Sequence, residues 1–207
     1  MVRQQQTAEN YSRQADRYEN RWEKYLDHTH NEILSVFRSE AGDRILDISA
    51  GTGLLAEHII EQGYNFGELI LNDISEGMLN VAYNRLKKGH KINLNLHEAT
   101  DLQLPRNSVD AVISMNAFHH YAEQNEVIRE VFRVLRPGGR FYLLDWNRKG
   151  LFRIVNRIIE SWTVDLIDSR SQEEVTSMLR QKRFEICDQK DWYWRYWRFF
   201  LIVAEKP

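Results

Sequence analysis

The sequence predicts an α/β fold. It reads as a doubly wound sheet of seven strands, mostly parallel, with an antiparallel C-terminal hairpin and helices on both faces. Three observations carry this. Short apolar runs alternate with helical patterns between positions 44 and 145, and such alternation implies parallel strands joined by crossovers. The first apolar run, Ile45 to Ile48, enters the small-residue turn Ser49-Ala50-Gly51-Thr52-Gly53 and then a helical pattern from Leu54, which together form a nucleotide cradle. The chain ends on two adjacent apolar runs, which read as a hairpin.

Taken in order, Tyr11, Ala15, Tyr18, Trp22, Tyr25 and Leu26 recur at three- and four-residue spacing and predict a helix with one apolar stripe, continued by Ile33, Leu34, Val36 and Phe37. There follow strand 44–48, helix 54–62 stopped by Gly63, strand 68–72, and helix 76–88 capped by Ser75 and stopped by Gly89. Strands 92–97 and 109–114, helix 124–135 and strand 140–145 complete the alternation. A helical region over 148–167 comes next, then helix 172–181, opened by the capping box Ser171-Gln172-Glu173-Glu174, and strands 184–193 and 197–204. Prolines and glycines fall at the turns, and no linker or repeat interrupts the chain, so one domain spans 1–207.

Composition sets outer bounds. The 207 residues suit a single core that buries roughly 70% of the unfolded surface. With 28 basic against 30 acidic residues there is no global charge to attract nucleic acid, so a small molecule or a protein is the expected partner. Cys187 is the one cysteine, which rules out an internal disulfide and favours a reducing, cytoplasmic setting. Met1 to Gln6 lack the apolar core of a signal peptide, and no apolar run approaches a membrane span, so no integral membrane association is expected.

Glycines at 51 and 53 let the backbone bend sharply and approach a ligand, while the N–H groups of the next helix point at it. The dinucleotide pattern G-x-G-x-x-G would place a third glycine where Ala56 stands. Asp73 closes the second apolar run about 20 residues on, where an acid can hydrogen-bond both ribose hydroxyls of an adenosine. An alternative is a plain cap for the following helix; the spacing favours the ribose.

Further segments extend the match. The chain resembles the class I S-adenosylmethionine-dependent methyltransferases, within them the small-molecule branch related to ubiquinone and menaquinone biosynthesis methyltransferases, whose fold is Rossmann-like. The family's D-x-G-x-G-x-G is similar to Asp47 through Gly53, its D-x-S-x-x-M-L to Asp73 through Leu79, and its G-D-A-x-x-L-P to His97 through Gln103. Asn107 through Val112 resembles N-S-F-D-x-V, Phe118-His119-His120 resembles L-H-H, and Arg133 through Gly139 resembles R-V-L-K-P-G-G. The resemblance is strong over 40–145 and weak elsewhere. It implies a cofactor-binding core at 41–145, a helical cap at 1–40, a lid or substrate segment at 146–170, and a closing helix and hairpin at 171–207.

What the resemblance implies for S-adenosylmethionine is specific. Asp47, Ser49, Ala50, Gly51 and Gly53 would hold its amino-acid portion. Asp73 and the adjoining Ile74 would hold the ribose, Glu98 the adenine amino group, and the Ala99 backbone the ring. Met78 would pack on the adenine face or serve as core, and Met115 and Asn116 would lie near the sulfonium. Glu98 is longer than the family's aspartate and also fits a solvated loop. Ser49 replaces the family's first glycine. Either it takes positive φ at some cost, or it is an extended strand end where the hydroxyl adds a contact, and the sequence favours the second.

Methyl transfer from a sulfonium chiefly requires positioning. A base matters where the acceptor is a phenol, hydroxyl or acidic carbon, and His119 or His120 suits that task. The duller reading, one histidine in solvent and the other tying the loop, is favoured because similar enzymes work without a base. No metal site is expected, since His28 and His30 are too close in sequence to share a helical face. Acceptor contacts are expected from Tyr11, Tyr18, Trp146 and Phe152. The stripe Leu151, Ile154, Val155, Ile158, Ile159 and Trp162 beside Arg148, Lys149, Arg153 and Arg157 packs on the sheet, closes as a lid, or rests peripherally on an anionic membrane. Hairpin alternation buries about half the rings between Trp192 and Phe200 and leaves the rest for a partner, an apolar substrate or a second copy in a homodimer. The activity expected is methyl transfer to a small apolar or aromatic molecule. A nicotinamide-dependent oxidoreductase would leave the Asp73 to Leu79 match unexplained, and a non-catalytic S-adenosylmethionine-binding partner or sensor is the alternative.

Overall fold

A computed structural model describes residues 22–86, 91–150 and 167–207. Helix α1 occupies 22–36. Strand β1 (Arg44–Ile48), helix α2 (Leu54–Glu61), strand β2 (Glu68–Asn72), helix α3 (Glu76–Leu86) and strand β3 (Ile92–Asn95) follow. Strand β4 (Val109–Met115), a 3-10 turn (Phe118–His120), helix α4 (Gln124–Val134) and strand β5 (Leu135–Trp146) come next. Helix α5 (Gln172–Gln181) and strands β6 (Glu185–Trp194) and β7 (Trp197–Glu205) complete the described chain.

The sheet order is β3-β2-β1-β4-β5-β7-β6. The pairs among β3, β2, β1, β4 and β5 are parallel, while β7 lies antiparallel between β5 and β6. Strand order reverses between β1 and β4, and in open α/β sheets ligands bind outside the strand ends at such a reversal.

Side-chain alternation divides the core. Ile45, Leu69, Leu71, Ile113, Tyr142 and Leu144 face α1, α2 and α3, whereas Leu46, Ile70, Val112, Phe141 and Leu143 face α4 and α5. The single core expected from chain length is therefore two apolar layers, because strands buried on both faces send alternate residues to opposite sides. Val127, Ile128, Val131 and Val134 fix α4 at zero exposure, each stabilising the fold by about 1.5–3 kcal/mol.

Local signals explain the boundaries. At α5, Ser171 Oγ accepts from Glu174 N (3.3 Å) and Glu174 Oε2 accepts from Ser171 N (2.6 Å), the reciprocal box read from the sequence. Ser75 Oγ caps α3 by accepting from Met78 N at 3.2 Å. Strand β3 stops at Asn95 rather than at position 97, because Asn95 O takes its last ladder bond from Asp73 N and the chain turns away through Asp101 N to Glu98 O. Strand β5 begins at Leu135 rather than at 140, with a register shift against β4 that absorbs the Pro137-Gly138-Gly139 turn.

The expected helix over 148–167 lies largely outside the described residues; of its basic residues, Arg148 and Lys149 pair with Glu174 and Glu173 on α5. On the hairpin, Trp192, Trp194, Trp197 and Phe199 turn toward α1, while Tyr193 and Tyr196 stay 53% and 63% exposed.

Gly53 illustrates how tightly the cradle is built. Its φ is +75°, and an added Cβ would stand 2.9 Å from Ala82 Cβ and 3.1 Å from Leu86 Cδ1 on α3. Gly53→Ala combines left-handed strain with crowding and is expected to lose about 2–4 kcal/mol, read as a lower midpoint in urea unfolding.

Candidate functional site

One cleft opens beyond the C-terminal ends of β1, β2 and β4, where the strand order reverses. At its base lies Asp47, the fourth residue of β1 and only 3% exposed. Among the described residues its carboxylate has no hydrogen-bond partner. Burial, and then the charge of Asp73, push its pKa up to about 8. A buried, unpartnered carboxylate on a cleft wall fits a ligand ammonium, which would supply the missing charge and donors.

Above it, the turn is stitched to β2. Ala50 N donates to Asn72 O at 2.9 Å, Gly53 N to Ala50 O at 3.0 Å, and Gly51 N to Asp73 Oδ2 at 2.9 Å. Gly51 has φ +55° and open space where a Cβ would stand, so the chain presents bare backbone to the cleft. Ser49 is not an extended strand end as the sequence favoured: its φ is +62°, the left-handed value that its family position calls for in glycine. What the sequence did not reveal is the compensation, a 2.8 Å hydrogen bond between Ser49 Oγ and Tyr121 Oη. Burial raises the Tyr121 phenol, so it stays protonated and able to donate.

Asp73 does two structural jobs at once. Its Oδ1 accepts from Ser75 N at 2.8 Å, turning the chain into α3, and its Oδ2 holds Gly51. Burial raises its pKa, and the backbone donors of Ser75, Gly51 and Ile74 offset only part of that rise. A carboxylate accepts about four bonds, so lone pairs remain for a ligand diol.

Of the twelve cofactor residues named from the sequence, eleven line this cleft; Gly53 sits behind it against α3. Met78 is buried at the start of α3, yet belongs to neither apolar layer and faces the cleft. Glu98 is an exposed loop carboxylate near Thr100 Oγ1 (3.4 Å), with Ala99 buried beside it. Met115 and Asn116 stand at the β4 tip, and both side-chain polar atoms of Asn116 are engaged by α1.

The two histidines part company. A 3-10 turn sends His119 inward, where Nδ1 lies 2.5 Å from Asp145 Oδ1 and the ring stacks on Trp146 at 3.9 Å, while His120 lines the cleft. Adjacent residues on so tight a turn cannot face the same way, which the sequence does not resolve into inner and outer. Trp146 is likewise off the cleft wall, held between His119 and Trp197. Tyr11, Tyr18 and Phe152 lie outside the described residues.

Sequence reasoning missed His30, which joins Leu26 on the α1 wall of the cleft. The signal was available, since these residues are four apart and share a helical face. His30 Nδ1 meets His58 Nδ1 at 3.0 Å, and burial, with His58 and Arg85, lowers its pKa to about 3, so it is neutral. His28, two residues away, turns instead to the hairpin and accepts from Trp192 Nε1 at 2.9 Å.

Fold and cleft together define an α/β protein with a nucleotide-cofactor site. Residues 46–143 match the family model described as methyltransferase domain. A demethylmenaquinone methyltransferase of Symbiobacterium thermophilum is 37% identical over 130 residues, covering 61% of this chain and 50% of that protein. The chain spans about half the length of the curated relatives it matches first. Among solved structures, a chain of the complex with the Haloferax volcanii Trm112 methyltransferase activator superposes with TM-score 0.82 at 19% identity, covering 95% of this chain and 97% of that one. The Haemonchus contortus phosphoethanolamine N-methyltransferase 2, in complex with S-adenosylhomocysteine, gives 0.74 at 16%, over 86% and 52%. At such identities the likeness concerns the fold.

Asp47 leaves a signature in stability. Its folded pKa of about 8 exceeds the ordinary 3.8, so the folded state keeps a proton that the unfolded chain gives up; the resulting stabilisation is complete below about pH 4 and is lost as pH rises to about 8. Relative to Asp47→Asn, the parent is expected to lose up to about 1.4 kcal/mol per pH unit across that window, measured by urea unfolding of both proteins from pH 5 to 9. Parallel pH profiles would contradict the burial of this acid.

Proposed function

We propose that this chain is an S-adenosylmethionine-dependent methyltransferase that acts on a small apolar or aromatic acceptor. The carrying observation is Asp47, a buried carboxyl group without a hydrogen-bond partner among the described residues, set below a bare-backbone turn and one strand away from Asp73. That pair of acids across the β1 and β2 tips matches a ligand with an ammonium at one end and a ribose diol further along. The family match and the S-adenosylhomocysteine in the Haemonchus contortus relative support the same cofactor.

In this reading Asp47 and the turn from Ser49 to Gly51 hold the amino-acid portion, and Asp73 with Ile74 the ribose. Glu98, Ala99 and Met78 surround the adenine, and Met115 flanks the reacting end. The cofactor supplies a methyl group on a sulfonium, a positively charged leaving group. The protein's task is orientation, which is worth about 7–11 kcal/mol in the best-aligned cases. His120 is the histidine placed to take a proton from a hydroxyl, phenol or acidic carbon.

For the acceptor, the cleft offers Leu26, Leu54, Leu55 and Met115 as apolar wall, and no lysine or arginine among the described residues that line it. An uncharged ring suits such a wall, in keeping with the quinone-pathway names of the curated relatives.

Calorimetry tests the cofactor. S-adenosylhomocysteine is expected to bind and NAD not, with Asp73→Ala at least tenfold weaker. Methyl-labelled cofactor tested against quinols, phenols, amines and lipids then reads transfer. Tight cofactor binding with no transfer to any of these would contradict the enzymatic reading and leave a cofactor-binding partner or sensor. Ser49→Gly relieves left-handed strain of about 1–2 kcal/mol and gives up one hydroxyl bond of about 0.5–1.5 kcal/mol. Its affinity for S-adenosylhomocysteine is expected to equal or exceed the parent's, and a tenfold loss would contradict the placement of the turn.

A further inference from the structure

Helix α1 contributes two pairs of residues, each pair one turn apart. Leu26 and His30 form part of the cleft wall, and Tyr25 and Thr29, rotated by one residue, face the tips of β4 and β5. The second pair closes a continuous hydrogen-bond chain. Trp146 Nε1 donates to Tyr25 Oη at 2.8 Å, and Tyr25 Oη donates to Asn116 Oδ1 at 2.8 Å. Asn116 Nδ2 donates to Thr29 Oγ1 at 2.9 Å, and Thr29 returns its proton to the carbonyls of Tyr25 (3.1 Å) and Leu26 (3.2 Å).

Asn116 is itself fixed from behind. It sits at φ +55°, a left-handed value that asparagine tolerates better than most residues, and its N–H donates to Leu144 O at 2.9 Å. Its amide oxygen and one amide proton are therefore spent on α1. The next residue back, Met115, is on the cleft wall beside it.

Apolar packing already attaches the helix, through Tyr25 against Trp197 at 5.5 Å and Phe199 at 5.6 Å. Such packing is non-directional, and rotation about the helix axis is set by polar contacts: His28 accepts from Trp192 Nε1, His30 meets His58, and Glu32 pairs with Lys190. The two hydrogen bonds from the Asn116 amide, to residues a turn apart, add the tie at the β4 tip, because both are satisfied at one rotation and one height only. That rotation decides how far Leu26 and His30 reach into the cleft.

We propose that Asn116 is a positioning residue which, through Tyr25 and Thr29, locks α1 against the β4 tip and so couples occupation of the cofactor cleft to the placement of its α1 wall. This rests on the cofactor reading above. Ligand that packs against Met115 and the Asn116 backbone favours the latched arrangement, and the latched arrangement favours ligand by the same factor.

Tyr25→Phe is the decisive variant, since it keeps the ring and its aromatic contacts and removes only the hydroxyl. It is expected to weaken S-adenosylhomocysteine three- to tenfold by calorimetry, with a melting temperature within a few degrees of the parent. Thr29→Val supplies the second leg without loss of volume. The double variant is expected to bind no more than twofold weaker than the weaker single variant, because both act through one amide. In hydrogen exchange, S-adenosylhomocysteine is expected to slow the amides of 22–36 in the parent and not in Tyr25→Phe, a ligand response that a merely stabilising bond would leave intact. A parent that binds, with Tyr25→Phe unchanged in affinity or with losses that multiply in the double variant, overturns the latch alone. A parent that binds no S-adenosylhomocysteine overturns the cofactor reading and the latch with it.

Discussion

The site depends on one constraint: the carboxyl group of Asp47, near the end of the central strand, is buried beside the cleft and has no hydrogen-bond partner among the described residues. Burial holds its proton on, with the pKa pushed up to about 8, and a cation entering the cleft would reverse that preference. Its neighbours keep the space beside it clear. The turn above it is built from small residues, Gly51 exposes backbone, and the nearby acid Asp73 is tied to Gly51 and Ser75 and so does not collapse onto it. The charge of Asp73 raises the Asp47 pKa further and sharpens the preference for a cation.

The fold holds this arrangement by leaving its surroundings no freedom. Asp47 is flanked by parallel strands on both sides, its backbone in register with Leu71 and Ile113. Gly53 brings α2 onto α3 at a distance that any side chain would open. Arg85 reaches from α3 to Thr52 O at 3.2 Å and to Glu57 at 3.3 Å, holding the far side of the turn. On the other side of the cleft, His119 and Asp145 occupy each other under Trp146, which leaves His120 as the histidine of that pair on the cleft lining.

The fold was legible in the sequence because its signals are local and periodic. Alternating apolar runs gave the strands, Ser75 and the box at Ser171 gave helix starts, and the order of motifs gave the sheet. The convergence of these positions on one cleft was legible for a related reason, since strand ends at a topological reversal must come together. What escaped depends on contacts distant in sequence. Tyr121 supports Ser49 across 72 residues, His30 finds His58 across 28, and Tyr25 finds Asn116 across 91. No spacing rule anticipates such partners. The left-handed Ser49 escaped because its compensation lies on another element, and the sorting of His119 from His120 escaped because it hangs on a single short turn.

Proton release during cofactor binding tests the role of Asp47 most directly. Calorimetric titration of S-adenosylhomocysteine at about pH 7, in buffers of different ionisation enthalpy, measures it. Because Asp47 holds a proton in the free protein and must give it up to meet an ammonium, close to one proton is expected to leave per ligand bound, with affinity rising as pH approaches 8 and the release absent in Asp47→Asn. Binding that releases no proton, with affinity unchanged from about pH 6 to 8, would contradict the central role given to this carboxylate.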